Sequence, residues 1–306
     1  MTPLSHHIPD VVDRARAAFV GLAVGDALGA TVEFMTASEI RASLGVHREV
    51  RGGGWLRLRP GAVTDDTEMS LAAARSLAAE GRFVPRAVAD ALVAWLRSRP
   101  ADVGNTCRRG LRRYILDGSL EGPSSQGDAG NGAAMRVLPF AIATLASRAS
   151  LERDAVLQAH LTHHHPLSDA ACVLVGRVVH RACLGLSMGQ LRSVADEAAA
   201  RVPGLRFVPY PGLSTAYVGD TLPTVLHHLF STASFEECLV GIVNQGGDAD
   251  TTGAIAGAIA GAYYGPDAIP RRWVAKLDGH LVAELEALAK RLVALSPLAR
   301  GEAPDL

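Results

Sequence analysis

The sequence predicts an all-α protein, folded as a single compact multi-helix domain. Three observations lead to this prediction. Many segments repeat apolar residues at helical spacing, convincing strand patterns are scarce, and no linker or low-complexity stretch divides the 306 residues. Hydrophobic residues make up 48% of the chain and charged residues 20%, which excludes extended disorder and is enough apolar material for a large core.

Twelve segments rich in Ala, Leu and Val carry the helical pattern. In chain order they are residues 11–30, 68–79, 85–97, 106–116, 133–146, 153–162, 168–184, 188–200, 214–230, 235–243, 251–264 and 281–295. Short strands are expected only within residues 46–58 and 206–209. We expect one domain over residues 1–306, with loosely ordered tails at residues 1–10 and 297–306.

The charge balance and the cysteine pattern exclude several classes of protein. Thirty Lys and Arg against 31 Asp and Glu give a formal net charge of −1, without the basic excess of a nucleic-acid binder. The four cysteines form no C-x-x-C pair, so neither a disulfide framework nor a zinc knuckle is expected. The N-terminus lacks a signal-peptide pattern, and the most apolar stretch, residues 251–264, is shorter than the about 20 residues that span a bilayer. We therefore expect a cytoplasmic protein without direct membrane insertion.

Two acidic runs stand where a loop enters an apolar helix. The first is Thr64-Asp65-Asp66-Thr67-Glu68 and the second is Asp248-Ala249-Asp250-Thr251-Thr252. Helix capping is the plainer explanation, since Asp and Thr at a first turn satisfy free N–H groups and suit the helix dipole. Capping requires one or two such residues, however, whereas each run holds at least two acids and two Thr hydroxyls.

We interpret the two runs as one metal centre at helix N-termini. Crowded acids raise one another's pKa, and a bound cation removes that cost. Carboxylates and hydroxyls without Cys or His favour Mg²⁺ or Mn²⁺ over zinc or copper. Four Asp from two distant segments suit a pair of ions about 3.5–4 Å apart. This interpretation requires the regions near residues 65 and 250 to meet in the folded chain.

Five motifs, taken in order, resemble those of a known family. They are Gly25-Asp26-Ala27-Leu28-Gly29 with Glu33, Thr64-Asp65-Asp66-Thr67, Gly130-Asn131-Gly132-Ala133-Ala134-Met135-Arg136, Thr162-His163 and Gly247-Asp248-Ala249-Asp250-Thr251. With them the chain resembles the ADP-ribosylglycohydrolase family, whose members remove ADP-ribose from modified proteins. The runs at residues 52–56, 127–132 and 243–247 resemble in particular the bacterial branch that reactivates nitrogenase iron protein.

The resemblance implies a fold, a reaction and partners. It implies an all-α fold, two divalent cations (Mn²⁺ or Mg²⁺) and hydrolysis of the N-glycosidic bond between ADP-ribose and an arginine. The implied partners are an ADP-ribosylated protein, namely nitrogenase iron protein, and a PII signalling protein, with membrane association through partners. We expect a monomer.

The resemblance also implies roles for individual residues. As metal ligands it implies Thr64, Asp65, Asp66, Asp248, Asp250 and Thr251. As catalytic acids it implies Asp102 and, in reserve, Glu33, a flap acid near the metals. As substrate contacts it implies Asp128, Ala129, Gly130, Asn131, Gly132, His163 and Tyr217. Backbone N–H groups of residues 127–132, leading into the helix predicted from residue 133, are expected to bind the pyrophosphate.

For three of these residues the sequence leaves a plainer alternative open. Asp102 is equally consistent with the N-cap of the next helix, and His163 with a histidine at a helix C-terminus. Tyr217 is consistent with helix core. The run 163–165 of three histidines is not expected to bind a metal, because sequence neighbours do not share a helix face.

Two rival functions fit part of the pattern. A Mg²⁺-dependent prenyl-diphosphate enzyme is also all-α with Asp-rich runs, but it requires an aromatic-lined pocket, and aromatic residues make up only 5% of this chain. A non-catalytic ADP-ribose-binding regulator would not need the complete set of acids.

Overall fold

Helices joined by irregular loops make up the structure, a computed structural model that describes residues 8–305. Within that range β-pairing is limited to four isolated bridges, so the all-α prediction is confirmed. The fourteen α-helices are α1 Ile8–Gly29, α2 Ala37–Leu44, α3 Asp65–Glu80, α4 Pro85–Arg97, α5 Asn105–Asp117, α6 Leu138–Ala143, α7 Arg148–His160, α8 Pro166–Cys183, α9 Met188–Arg201, α10 Val218–Ser231, α11 Phe235–Val243, α12 Ala249–Tyr264, α13 Arg271–Val274 and α14 Gly279–Leu295.

The central feature of the fold is the contact between α1 and α12, both of which are buried along most of their length. Glycines on the two helices face each other, and their backbones touch. A Cβ atom on Gly257 would overlap the carbonyl oxygen of Gly21, and one on Gly25 would overlap that of Gly253. Because only glycine permits this approach, the N-terminus of α12 lies directly against the C-terminal half of α1.

All twelve predicted helices have counterparts, but two begin later than predicted. The segment predicted from residue 133 becomes helical only at Leu138, because Pro139 is accommodated in the first turn of a helix and not in its interior. The segment predicted from residue 214 becomes helical at Val218, because residues 216–218 pair with residues 129–131 instead: the N–H of Asn131 donates to the carbonyl of Ala216 at 3.0 Å.

The predicted strands at residues 46–58 and 206–209 are wrong. Gly52, Gly53 and Gly54 have φ values of 68°, 88° and 66°, which an extended strand does not accommodate, and the loop closes with a single bridge between Gly53 and Leu58. Residues 206–209 form no strand. The short helices α2 and α13 were not predicted, since neither is long enough to show a full helical repeat.

Both ends of the described chain are in contact with the helices. Residues 8–10, expected to be part of a loose tail, form the first turn of α1, while residues 1–7 lie outside the described residues. The other tail expected to be loose was residues 297–306, of which residue 306 lies outside the described residues. Residues 297–305 lie along the turn between α6 and α7. There the N–H of Leu298 donates to the carbonyl of Leu145 at 3.0 Å, and that of Asp305 to the carbonyl of Ala146 at 2.9 Å. None of the helices within residues 8–305 is long and apolar enough to cross a bilayer.

The glycine contact between α1 and α12 generates a stability prediction. Gly257→Ala should lower the free energy of unfolding by about 1–3 kcal/mol, because the added methyl group must push the two backbones apart. Gly279→Ala in the first turn of α14 is the control, since a Cβ there meets nothing within 4 Å and should be neutral or stabilise by up to about 1 kcal/mol. Urea denaturation compares them, and an unchanged Gly257→Ala would contradict the contact.

Candidate metal centre and substrate cleft

A buried aspartate on α1 holds the start of α3. The Asp26 carboxylate accepts hydrogen bonds from the backbone N–H and the hydroxyl of Thr64, at 3.0 Å each. It also accepts from the N–H and the hydroxyl of Thr67, at 3.1 and 2.5 Å. Four donors from the first turn of α3 therefore converge on one side chain. This places the acids at residues 65 and 66 beside the C-terminal half of α1.

The two acidic runs meet at Asp66. Its Oδ2 lies 3.2 Å from the hydroxyls of both Thr64 and Thr251, which belong to the starts of α3 and α12. Its Oδ1 is buried and has no hydrogen-bond partner among the described residues. The regions near residues 65 and 250 therefore meet, as the metal interpretation required. A buried carboxylate oxygen without a partner is what a bound cation would satisfy.

A carboxylate from a third segment, the turn after α1, joins this group. Carboxylate oxygens of Glu33, Asp248 and Asp250 all lie within 4.8 Å of one another, and all three residues are buried. Pairing between residues 34–36 and 246–247 brings them together, since the N–H of Phe34 donates to the carbonyl of Gly247 at 2.7 Å. Glu33 is therefore positioned with the candidate metal ligands.

The electrostatics of the centre favour a cation. Burial raises the pKa of Asp26 to about 6, that of Asp65 to about 7 and that of Glu33 to about 8. Burial, with repulsion from neighbouring carboxylates, raises the pKa of Asp66 and Asp250 well above the usual value. A divalent cation would compensate this concentration of negative charge, and a donor set of carboxylates and hydroxyls suits a hard ion such as Mg²⁺ or Mn²⁺. The residues present therefore fit the metal that the sequence predicted.

The acids open into a cleft with a volume of about 690 Å³. Twelve of the predicted site residues line it. They are Glu33, Asp65, Asp102, Ala129, Gly130, Asn131, Gly132, His163, Tyr217, Asp248, Asp250 and Thr251. Three predicted residues do not: Thr64, Asp66 and Asp128 are buried behind this surface. Tyr217 is 46% exposed at the start of α10, so the alternative that it belongs to the helix core is wrong.

Asp102 is half-buried at the cleft wall, in the loop before α5. The N-cap of α5 is Gly104, without a side-chain capping bond, and the Asp102 carboxylate accepts only from the N–H of the neighbouring Val103, at 2.7 Å, among the contacts that the structure describes. The helix-cap alternative is therefore wrong. The N–H of Gly104 donates instead to Asp65 at 3.2 Å, which ties this loop to the acids. Burial raises the pKa of Asp102 above its usual value.

The glycine-rich segment at residues 127–132 is held by packing against a buried histidine. A Cβ atom on Gly130 would lie 3.0 Å from Nε2 of His163, and one on Gly132 would lie 2.9 Å from its Cε1. His163 lies beyond the end of α7, so it is not the terminal histidine of that helix. The expected helix start at residue 133 is absent, so the helix dipole does not contribute to an anion site here. Gly127, Asp128 and Asn131 already donate their N–H groups within the protein.

Four residues important to this architecture were not assigned from the sequence. Asp26 and Arg136 belong to two of the five motifs, but neither of them was assigned a role from the sequence. Each is a single ionic residue in an apolar stretch, and that pattern is the sequence signal that could have identified them. Arg136 is fully buried and donates to the carbonyls of Gly132 and Gln158 at 2.7 and 2.9 Å. Arg109 pairs with Asp128, and the indole N–H of Trp55 donates to Glu33 at 2.5 Å.

Comparison with known proteins agrees with this geometry. The sequence model of the ADP-ribosylglycohydrolase family matches residues 7–302. The chain belongs to the ADP-ribosylglycohydrolase family. The resemblance drawn from the five motifs is therefore confirmed.

Alignments with individual relatives extend over nearly the whole of this chain. ADP-ribosyl-[dinitrogen reductase] glycohydrolase of Rhodospirillum rubrum is 55% identical over 290 residues, 95% of this chain and 99% of that protein. ADP-ribosylarginine hydrolase Tri1 of Serratia proteamaculans (strain 568) is 34% identical over 304 residues, 94% of this chain and 80% of that one. A solved structure described as an ADP-ribosylglycohydrolase-related protein complex superposes with a TM-score of 0.82 at 35% identity, covering 94% and 99% of the two chains.

The hydrogen bonds to Asp26 generate a prediction about how the site is held. Asp26→Asn replaces one acceptor oxygen by an NH₂ group that faces the donors of α3, so the free energy of unfolding should fall by about 1–3 kcal/mol. Asp267→Asn, at an exposed position after α12, is the control and should leave it unchanged. Urea denaturation measures both. If Asp26→Asn is as stable as the control, these hydrogen bonds do not hold α3.

Proposed function

We propose that this protein hydrolyses the N-glycosidic bond joining ADP-ribose to an arginine side chain of a protein, and that nitrogenase iron protein is its target. The observation that carries the proposal is the meeting of acids from three distant segments on the wall of one cleft. The names of the relatives from Rhodospirillum rubrum and Serratia proteamaculans support the arginine linkage, and the former supports the target.

We propose that two divalent cations, Mn²⁺ or Mg²⁺, are held by the side chains of the two acidic runs. The proposed ligands are Thr64, Asp65, Asp66, Asp248, Asp250 and Thr251, and Glu33 adds a further carboxylate near Asp248 and Asp250. When bound, such ions orient hydroxyl groups of a substrate and lower the pKa of a bound water. Asp26 is a positioning residue, because it holds the first turn of α3 without lining the cleft.

Asp102 is proposed as the catalytic acid–base. Cleavage breaks the bond between ribose C1 and a guanidino nitrogen, water supplies the oxygen that C1 gains, and a proton ends on the departing guanidine. The reaction passes through an oxocarbenium-like state, as in other glycoside hydrolysis. A half-buried carboxylate with a raised pKa is suited to transfer such a proton. Glu33 is the alternative, but its carboxylate already accepts the indole N–H of Trp55.

The other wall of the cleft is proposed to bind the ADP-ribose moiety. Backbone N–H groups at Gly130 and Gly132 are the proposed phosphate contacts, because those of three neighbouring residues donate within the protein. His163 supports the glycines from behind and lines the cleft between them. Ala129, Asn131 and Tyr217 complete the proposed substrate surface, and Asp128 keeps the segment in place through Arg109.

Partners and location extend the proposal. We propose a monomeric, cytoplasmic enzyme of one domain, with a PII signalling protein as regulatory partner and with membrane association through partners. These proposals rest on the resemblance to the bacterial branch and on the identity to the Rhodospirillum rubrum relative.

The two classes of acid should separate on substitution. Asp102→Asn should lower kcat by about 10²–10⁴-fold while the number of Mn²⁺ ions bound per chain stays unchanged, since it removes proton transfer alone. Asp248→Asn should lose Mn²⁺ affinity and activity together. Calorimetric titration with Mn²⁺ and turnover of an ADP-ribosylated arginine peptide measure the two effects. Full turnover by Asp102→Asn would transfer the role to Glu33.

Removal of metal tests the function as a whole. Chelation should abolish release of ADP-ribose from modified nitrogenase iron protein, and added Mn²⁺ should restore it, because the proposed reaction requires the cations. ADP-ribosylated arginine serves as the small substrate. Binding of ADP-ribose without turnover in either metal state would favour the non-catalytic regulator. Turnover of a prenyl diphosphate instead would favour the second rival.

A further inference from the structure

A second group of metal-binding side chains lies next to the loop that lines the cleft. We call Glu121, His160, His164 and Asp169 the histidine cluster. Ligand atoms of Glu121, His160 and His164 all lie within 4.8 Å of one another. The cluster shares no residue with the acids of the cleft, and it is built from imidazole nitrogens as well as carboxylate oxygens. We propose that it is a separate site for a transition-metal ion, with Zn²⁺ as the ion that it fits.

The hydrogen bonds of His160 leave a position that a cation or a proton must fill. Nε2 of His160 lies 3.1 Å from both carboxylate oxygens of Asp169, so the proton on Nε2 is directed there. Nδ1 lies 3.2 Å from Oε2 of Glu121. In a neutral imidazole this nitrogen carries a lone pair, which would face the lone pairs of the carboxylate. A zinc ion would accept a lone pair from the imidazole nitrogen and one from the carboxylate oxygen. The alternative is a second proton on the ring, which would donate a hydrogen bond to the carboxylate.

His164 is prepared for the same ion. Its Nδ1 lies 2.6 Å from the carbonyl oxygen of Gly122, so the proton is on Nδ1 and the lone pair is on Nε2. Histidines that bind metals donate their second ring N–H to a carboxylate or a backbone carbonyl, which fixes the tautomer. Asp169 plays this part for His160, and the carbonyl of Gly122 plays it for His164. Both histidines of the cluster therefore have a second hydrogen-bond partner that sets the tautomer required of a metal ligand.

The charge and the composition of the cluster select the ion. Two carboxylates, Glu121 and Asp169, offset the charge of a divalent cation, while Arg113 packs against Gly122 and opposes it. Imidazole favours zinc over Mg²⁺ and Mn²⁺. Three protein ligands leave a fourth, open position in a tetrahedral zinc site. Because the two imidazole rings are stacked at 3.8 Å with planes 27° apart, one ring must turn for both lone pairs to reach a single ion.

The position of the cluster connects it to the cleft. The backbone N–H of His164 donates to Asp128 at 3.4 Å, and its carbonyl accepts from the N–H of Ser125 at 3.2 Å. Glu121 lies in the same loop, four residues before Ser125. An ion bound by Glu121, His160 and His164 would therefore fasten residues 121–128 to the end of α7. This loop leads into the glycine-rich wall of the cleft.

Zinc uptake tests the site. Metal-depleted protein is titrated with Zn²⁺ in excess Mg²⁺ and followed by calorimetry. Wild type should take up one more Zn²⁺ per chain than His164→Gln, and Glu121→Gln should weaken this extra binding by at least about tenfold. All variants retain the acids of the cleft, so the difference between them reports on the cluster alone. The exposed substitutions Glu80→Gln and His280→Gln are matched controls that should bind zinc as wild type does.

A second readout tests what the ion does. Zn²⁺ should slow hydrogen exchange of the amides at residues 121–128 in wild type and in the controls, but not in His164→Gln. Equal zinc uptake by wild type and both cluster variants would overturn the site. Zinc uptake without slower exchange would overturn its role in holding the loop.

Discussion

The candidate site depends on one buried carboxylate. Asp26 accepts four hydrogen bonds from the first turn of α3, and it stands on the helix against which the N-terminus of α12 packs. Each of these contacts alone would position one acidic run. Together they place both runs around the same stretch of α1, where carboxylates from residues 33, 66, 248 and 250 lie near one another.

This arrangement has an electrostatic cost that the fold alone does not remove. The acids are buried and mutually repulsive, and the pKa of each is raised, chiefly by burial. The hydrogen bonds from Thr64 and Thr67 stabilise the charge on Asp26, but no comparable donors reach Oδ1 of Asp66 among the described residues. Cations of the kind that the proposed chemistry requires would also stabilise such a centre, so metal binding and stability would be coupled.

Many residues of the candidate site could be predicted because their types and spacing form recognisable patterns in the sequence. Asp65, Asp66, Asp248 and Asp250 stand in short runs at predicted helix starts, and the resemblance connected them to Glu33 and Asp102. The missed residues act through tertiary contacts that no local pattern shows. Arg136 and Asp26 each bridge segments far apart in sequence, and the late start of α10 arises from pairing with residues 129–131. The strand predicted at residues 46–58 failed because three consecutive glycines adopt positive φ.

The glycine-to-glycine contact of α1 and α12 makes the base of the cleft more rigid than the loops around it. Two touching backbones have no side chains between them that could change rotamer, so the floor beneath the carboxylates is stiff. Adjustment to the surface of a modified protein must come from the surrounding loops, which carry Trp55 and Tyr217. Selectivity among target proteins is therefore free to evolve by exchange of rim residues, while the chemistry underneath stays the same.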